Sequence, residues 1–180
     1  DADGLTRGLG RDPEAAASLL GRVLHWTAGQ PYLTQRVCSA IAEDETVVDL
    51  AGVDTLCAEL FFTERAQEQD DNLQFVRNQM LGRDLDHAAL LNLYRGVLSG
   101  KTVRHEETSP LVSILLLSGI ARVRDGSLHI RNRVYERVFD MAWIRESMPG
   151  AELRRQRAAF RKGLLQAGAV GIVIVAAMAM

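Results

Sequence analysis

Apolar positions recur at helical spacing along most of this chain and switch to strict alternation in one short stretch. Asp12-Pro13-Glu14 sets a cap, a first-turn proline and a first-turn acid ahead of Ala16, Leu19, Leu20, Val23 and Leu24. That pattern predicts a helix ending near residues 27–31. A second helix restarts at Pro31, carries Leu33, Val37, Ile41 and Ala42, and runs into the acidic cluster Glu43-Asp44-Glu45. Residues 53–62 predict a third, with Leu56, Leu60 and Phe61 inward. Residues 1–10, short and Gly-rich, read as the tail of a preceding element. The first sixty or so residues (about 1–62) are thus expected to form a small helical bundle.

Residues 63–71 are polar and charged, which reads both as a solvated helix extension and as a boundary between two subdomains. Asp71 is placed to cap a helix bearing Leu73, Phe75, Val76 and Met80, ending at Gly82. Asp84 or Asp86 starts the next, with Ala89, Leu90, Leu93, Tyr94 and Val97, ending near Gly100. After the charged loop 101–107, Thr108, Ser109 and Pro110 open a short, almost wholly apolar helix that Gly119 can end. Alternation then appears at residues 120–123 and 128–130, around the turn pair Asp125-Gly126. A further helix over 133–139 repeats Val134, Tyr135, Val138 and Phe139, and residues 141–148 add a turn or two before Pro149-Gly150. Three helices, a two-stranded wing and a closing helix follow winged helix-turn-helix order across about 63–148.

The sharpest compositional change comes last. A basic linker, 149–163, carries Arg154, Arg155, Arg157, Arg161 and Lys162, and residues 164–180 are then apolar apart from Gln166. We read this as the start of a transmembrane helix, since the sequence stops while still apolar. Under the positive-inside rule residues 1–162 would lie in the cytoplasm, on the inner face of the plasma membrane. The fold class expected is therefore mainly α: a helical bundle, a winged helix, and a C-terminal membrane helix. With no initiator Met and an abrupt end, the chain reads as a piece of a longer protein.

Composition changes this picture little. The 180 residues are 47 % hydrophobic with a formal charge of −2, a balance that argues against a dedicated nucleic-acid binder. Cys38 and Cys57 have no metal spacing and sit among apolar helical positions, as buried reduced thiols do. His25, His87, His105 and His129 are scattered, with no pairing that would make a metal site. The run Ser99-Gly100-Lys101-Thr102 imitates a phosphate-binding loop. The first glycine of that motif should fall at Arg95, however, and the run follows a helix rather than a strand. No serine sits in a nucleophile elbow, and no motif here makes a stand-alone enzyme.

Two features stand above this background. In residues 25–38, H-W-T-A-G-Q-P-Y-L-T-Q-R-V-C, Gly29 and Pro31 fix a sharp elbow between two helices. In the wing and the helix after it, Arg122, Arg124, Arg131, Arg133 and Arg137 bring positive charge to solvent, where phosphates could be met. The first block resembles the T-G-G-x-P-Y-L segment in the helical lid of AAA-like, STAND-type signalling ATPases, with Ala28 where that family usually has a glycine. Residues 109–139 resemble the winged helix that follows the lid in bacterial members, and residues 151–161 resemble the basic stretch that leads into their membrane helix.

The resemblance implies a nucleotide-dependent switch, with Walker A and B segments upstream and ATP or ADP with Mg held by the complete protein, a slow ATPase, and not by this piece alone. Gly29, Gln30 and Pro31 would line the adenine side, and Arg131 or Arg133 would sense the phosphates in a closed state. The implied partners are the upstream nucleotide-binding domain, further copies of the chain on activation, and the membrane. An alternative is a membrane-tethered DNA-binding regulator. There the helix after Pro110 would enter the major groove, yet it offers only Ser113 and Ser118 among leucines and isoleucine. An adaptor that uses no nucleotide is the remaining alternative.

Overall fold

Side-chain caps set nearly every helix start in this protein. The computed structural model describes residues 2–82 and 86–150. Asp12 accepts from the amides of Glu14 and Ala15 and opens α2 (Pro13–Thr27), which follows α1 (Ala2–Gly8). Gln30, Asp49, Thr63 and Asp70 cap α3 (Pro31–Glu43), α4 (Leu50–Phe61), α5 (Glu64–Gln69) and α6 (Asp71–Met80). Asp86 and Ser109 do the same for α7 (His87–Leu98) and α8 (Pro110–Leu117). After the strands β1 (Ala121–Arg124) and β2 (Ser127–Ile130), Asn132 and Asp140 cap α9 (Arg133–Val138) and α10 (Met141–Ser147). Each cap satisfies amides that the first helical turn leaves without partners.

The described residues are mainly helical, with one two-stranded antiparallel sheet. Ala121 pairs with Ile130 and Arg124 with Ser127. The turn between them takes positive φ at Asp125 (51°) and Gly126 (70°), the geometry that suits the right-handed twist of a tight hairpin. The charged loop before α8 is more ordered than its composition suggests. Arg104 bridges to Ser127, the His105 amide donates to the Gly126 carbonyl at 2.9 Å, and the Leu128 amide to the Val103 carbonyl at 2.8 Å. The hairpin therefore has a short third edge.

One continuous core runs through the described chain. Leu19 and Val23 of α2, Leu33, Val37 and Ile41 of α3, and Val53 and Phe61 of α4 form its first half. Leu73 and Val76 of α6, Leu90 and Tyr94 of α7, Leu115 of α8 and Val134 of α9 form its second. The buried Tyr94 hydroxyl donates to the Phe139 carbonyl at 2.9 Å, which fixes α7 to the end of α9. Burial pushes that phenol well above its usual range.

Several expectations need correction. Residues 2–8 are a helix in their own right, and Leu9 after it is fully buried. The third predicted helix starts at Leu50, because Asp49 holds the Gly52 amide at 2.7 Å. The cap of α6 is Asp70 rather than Asp71. Leu24, Phe75 and Ala42 belong to the apolar pattern of their helices yet are exposed, Leu24 by 40 % and Phe75 by 49 %. Leu60 is half-buried. Residues 63–71 contain α5, which buries none of its side chains, so the solvated-helix reading holds there. Among the described residues no helix is long and apolar enough to cross a membrane. The expected span at 164–180, and the basic linker from residue 151 on, lie outside the described residues.

At the end of α2, Ala28 adopts φ 47° and ψ 33°. This left-handed conformation costs a residue with a Cβ roughly 1–2 kcal/mol. Ala28→Gly removes that cost, offset in part by the greater freedom of glycine in the unfolded chain. The expected net gain is about 0.5–1 kcal/mol, read as a rise of a few degrees in Tm by thermal unfolding.

Candidate functional site

The elbow between α2 and α3 is built from its own backbone and two threonines. Ala28 and Gly29 both take positive φ, 47° and 74°, which reverses the chain within two residues. The buried hydroxyls of Thr27 and Thr34 lie 2.7 Å apart, and the Gly29 amide donates to Thr27 Oγ1 at 3.3 Å. Gln30 then turns inward as a cap, its Oε1 accepting from the Leu33 amide at 2.6 Å. Pro31 follows at the first helical position, where its missing amide hydrogen has no cost.

This elbow opens on a cleft of about 510 Å³ lined by Gly4, Leu5, Leu24, Gly29, Pro31, Thr34 and Gln35. Among the described residues no charged side chain lines it. The surface is mostly apolar, with polar groups at one edge, which suits the flat face of an aromatic ring and not a phosphate. Leu24, unexpectedly exposed, becomes intelligible as part of this wall. Of the predicted nucleotide-side residues, Gly29 and Pro31 line the cleft. Gln30 does not, because capping α3 has committed its side chain.

The two candidate arginines go to different places. Arg133, at the start of α9, donates from Nη1 to the His25 carbonyl at 3.1 Å, joining residues 108 positions apart. It borders a second cleft of about 400 Å³, with Arg22, His25, Trp26, Glu136 and Arg137. Desolvation, then the charges of Arg133 and Arg22, hold the His25 imidazole below its ordinary pKa. Arg137 lies over the Phe62 ring with its guanidinium carbon 5.7 Å from the centroid. Arg131 is half-buried, and its Nε has no hydrogen-bond partner among the described residues. Its charge acts on Tyr135, whose hydroxyl is 2.7 Å from Asn72 Oδ1 and whose pKa burial pushes up to about 12. Among the described residues no hydrogen bond joins either arginine to Gly29, Gln30 or Pro31.

Beside these lie groups that the sequence pattern alone did not single out. Arg22 forms a two-pronged ion pair with Asp54, at 2.7 and 2.6 Å, and Trp26 Nε1 donates to the same carboxylate at 2.7 Å. Arg36 pairs with Asp70, whose side chain is fully buried, and Tyr32 reaches both groups. The available signal was spacing: Arg22 with Trp26, and Tyr32 with Arg36, stand four apart on one helix face. Their carboxylate partners, 32 and 34 residues downstream, could not be paired with them from spacing.

The described residues hold no group of three or more His, Cys, Asp or Glu that could bind a metal. Cys38 and Cys57 are free and buried, and burial pushes the Cys57 thiol up to about 12. The Ser99-Gly100-Lys101-Thr102 run leaves the C-terminal end of α7, where carbonyls rather than amides face outward. In α8 the Ser113 hydroxyl donates to the Ser109 carbonyl at 3.2 Å and the Ser118 hydroxyl to the Leu115 carbonyl at 3.1 Å. Both hydroxyls already donate within the chain, while Leu117 is 77 % exposed.

No family model matches the chain, and no solved structure matches it. It is similar to an uncharacterized WD repeat-containing protein of Synechocystis sp. (strain ATCC 27184 / PCC 6803 / Kazusa), with 30 % identity over 153 residues. The match covers 80 % of this chain and 13 % of that protein, so the chain spans a small part of its relative's length.

Two expectations follow from the ion pairs. Arg36→Ala strands a buried carboxylate and is expected to destabilise by about 3–5 kcal/mol, whereas Asp70→Asn keeps the capping oxygen and costs less. Denaturant unfolding of the two variants reads the order directly. The Arg22 hydrogen bonds hold Asp54 below its ordinary carboxylate pKa. A group depressed in the folded state stabilises above its unfolded pKa, and that contribution is lost as pH falls through the folded value. Asp54→Asn should therefore flatten the acid limb of a stability-versus-pH curve and leave its neutral-to-alkaline shape unchanged.

Proposed function

We propose that this chain is the regulatory lid and winged-helix portion of a STAND-type, AAA-like ATPase: a nucleotide-dependent signalling switch, attached to a membrane, that controls self-assembly. The observation that carries the reading is the elbow at Gly29 and Pro31. It presents a mostly apolar, uncharged wall of about 510 Å³ at the very end of α2 that Arg133 holds from the other half of the chain. A purine lying against Gly29 and Pro31, flanked by Leu5 and Leu24, would meet apolar surface on one face. Its phosphates would have to be met by an upstream nucleotide-binding segment, because this wall carries no cation.

In this reading residues 1–62 are the lid and residues 63–148 the winged helix, with α8 in the recognition-helix position and β1 and β2 as the wing. The switch is a shift of population between two packings of these rigid units. The arrangement with Arg133 on the His25 carbonyl is the closed one, and α5 is the joint about which the winged helix would swing. In the closed state Arg133 acts by holding the end of α2 rather than by touching phosphate. Arg131, half-buried and with an Nε that has no hydrogen-bond partner among the described residues, is the less suited of the pair to sense nucleotide. The similarity to a WD repeat-containing protein supports a signalling context.

The test uses the complete protein. Purified without added nucleotide, it is expected to retain ADP, detected by chromatography after acid release, and Pro31→Ala is expected to weaken that retention about tenfold or more. Unchanged retention in Pro31→Ala, or a parent reading frame with no G-x-x-x-x-G-K-[ST] upstream of Asp1, would overturn the assignment.

A further inference from the structure

The hairpin has two unlike faces. Cross-strand partners share a face, and so do residues two apart on one strand. Ala121, Val123, Leu128 and Ile130 therefore lie on the inner face, where Ala121 and Leu128 are buried in the core. The outer face carries Arg122 opposite His129, and Arg124 opposite Ser127, with Arg104 bridged to Ser127 from the third edge. Lys101 joins them, since it lines a small cleft of about 170 Å³ with Arg124 and His129. All of these cationic side chains and His129 are exposed. The acid nearest in sequence is Asp125, 3.5 Å from Arg124 Nε, and that pair is 89 % and 69 % exposed, too wet to neutralise the face.

A chain of formal charge −2 thus gathers positive charge on one small sheet face whose basic side chains are exposed. We infer that the outer face of the hairpin, built on Arg104, Arg122 and Arg124 with Lys101, is a docking surface for an anionic lipid bilayer. Charge complementarity is the first argument, since each near-surface Lys or Arg favours an anionic leaflet by about fivefold. The second is the sequence that follows the described residues. Arg154, Arg155, Arg157, Arg161 and Lys162 lead into residues 164–180, which carry no charge. That composition would tether the hairpin next to a bilayer, so the inference rests on the membrane attachment proposed above. A nucleic acid fits less well, because α8 offers Leu117 to solvent while the Ser113 and Ser118 hydroxyls donate internally.

The experiment is amide hydrogen exchange on the full-length protein with phosphatidylcholine vesicles, with and without phosphatidylserine. The expected result is slowed exchange at residues 101–105 and 121–130 on the phosphatidylserine vesicles alone. That protection should be lost at high salt and lost in Arg122→Gln/Arg124→Gln, whose exposed substitutions leave the inner face intact. Association with both vesicle types without protection at the hairpin would overturn the docking surface and leave membrane attachment standing. Association with neither would overturn both. Protection by duplex DNA, and not by phosphatidylserine, would assign the face to nucleic acid and overturn the proposal.

Discussion

A fully buried carboxylate constrains this molecule more than any other single group. Asp70 has no exposed side-chain surface, and a charge in that position persists only if its environment satisfies it. Its Oδ1 accepts from the Leu73 amide and so starts α6, while its Oδ2 takes Arg36 from α3. One residue therefore sets where a helix of the second half begins and which helix of the first half it faces. Tyr32, one residue beyond the elbow proline, stands beside the pair, with its hydroxyl 3.1 Å from Arg36 Nη1 and 3.5 Å from Asp70 Oδ2. Tyr32 thereby ties the first turn of α3, next to the elbow, to the cap of α6.

Sequence reading succeeded where the deciding chemistry is local. Asp12-Pro13, Ser109-Pro110 and Asp125-Gly126 each specify a start or a turn within a few residues, and each occurs where expected. It erred where the decision is made far away. Asp71 and Asp70 are equally plausible caps in isolation, and Arg36, thirty-four residues earlier, favours Asp70 as the buried one. Phe75 has the right spacing for a core position, yet α6 buries Leu73, Val76 and Met80 instead. The candidate site was legible in part for the same reason. Gly29 and Pro31 announce an elbow through their own backbone preferences. The grip of Arg133 on a main-chain carbonyl leaves no trace in any pattern of side chains.

The clefts beside α2 divide the chemistry between them. One, at the elbow, is mostly apolar and uncharged; the other holds Arg22, Arg133 and Arg137 with His25 and Glu136. In the second, most of the charge is already committed: Arg22 to Asp54, Arg133 to a carbonyl and Arg137 to an aromatic face. Arg133 and Arg137 bind the halves of the protein to each other, Arg22 ties α2 to α4 within the first half, and little is left over for a ligand. The hairpin differs on this point, since among the described residues the ion pair of its outer arginines is the solvated contact of Arg124 with Asp125.

The carbonyl that Arg133 holds belongs to the last turn of α2, where a helix has acceptors without partners of its own. The amide that would have continued the ladder is that of Gly29, and it has turned to Thr27 instead. Arg133 thus reads a position along the main chain and not the identity of a side chain. Substituting His25 leaves that signal in place, whereas winding α2 onward through Gly29 would claim the same oxygen and erase it. The end of this helix works as a mechanical stop. Where it falls, to within a single residue, decides whether the far half of the protein has anything to hold.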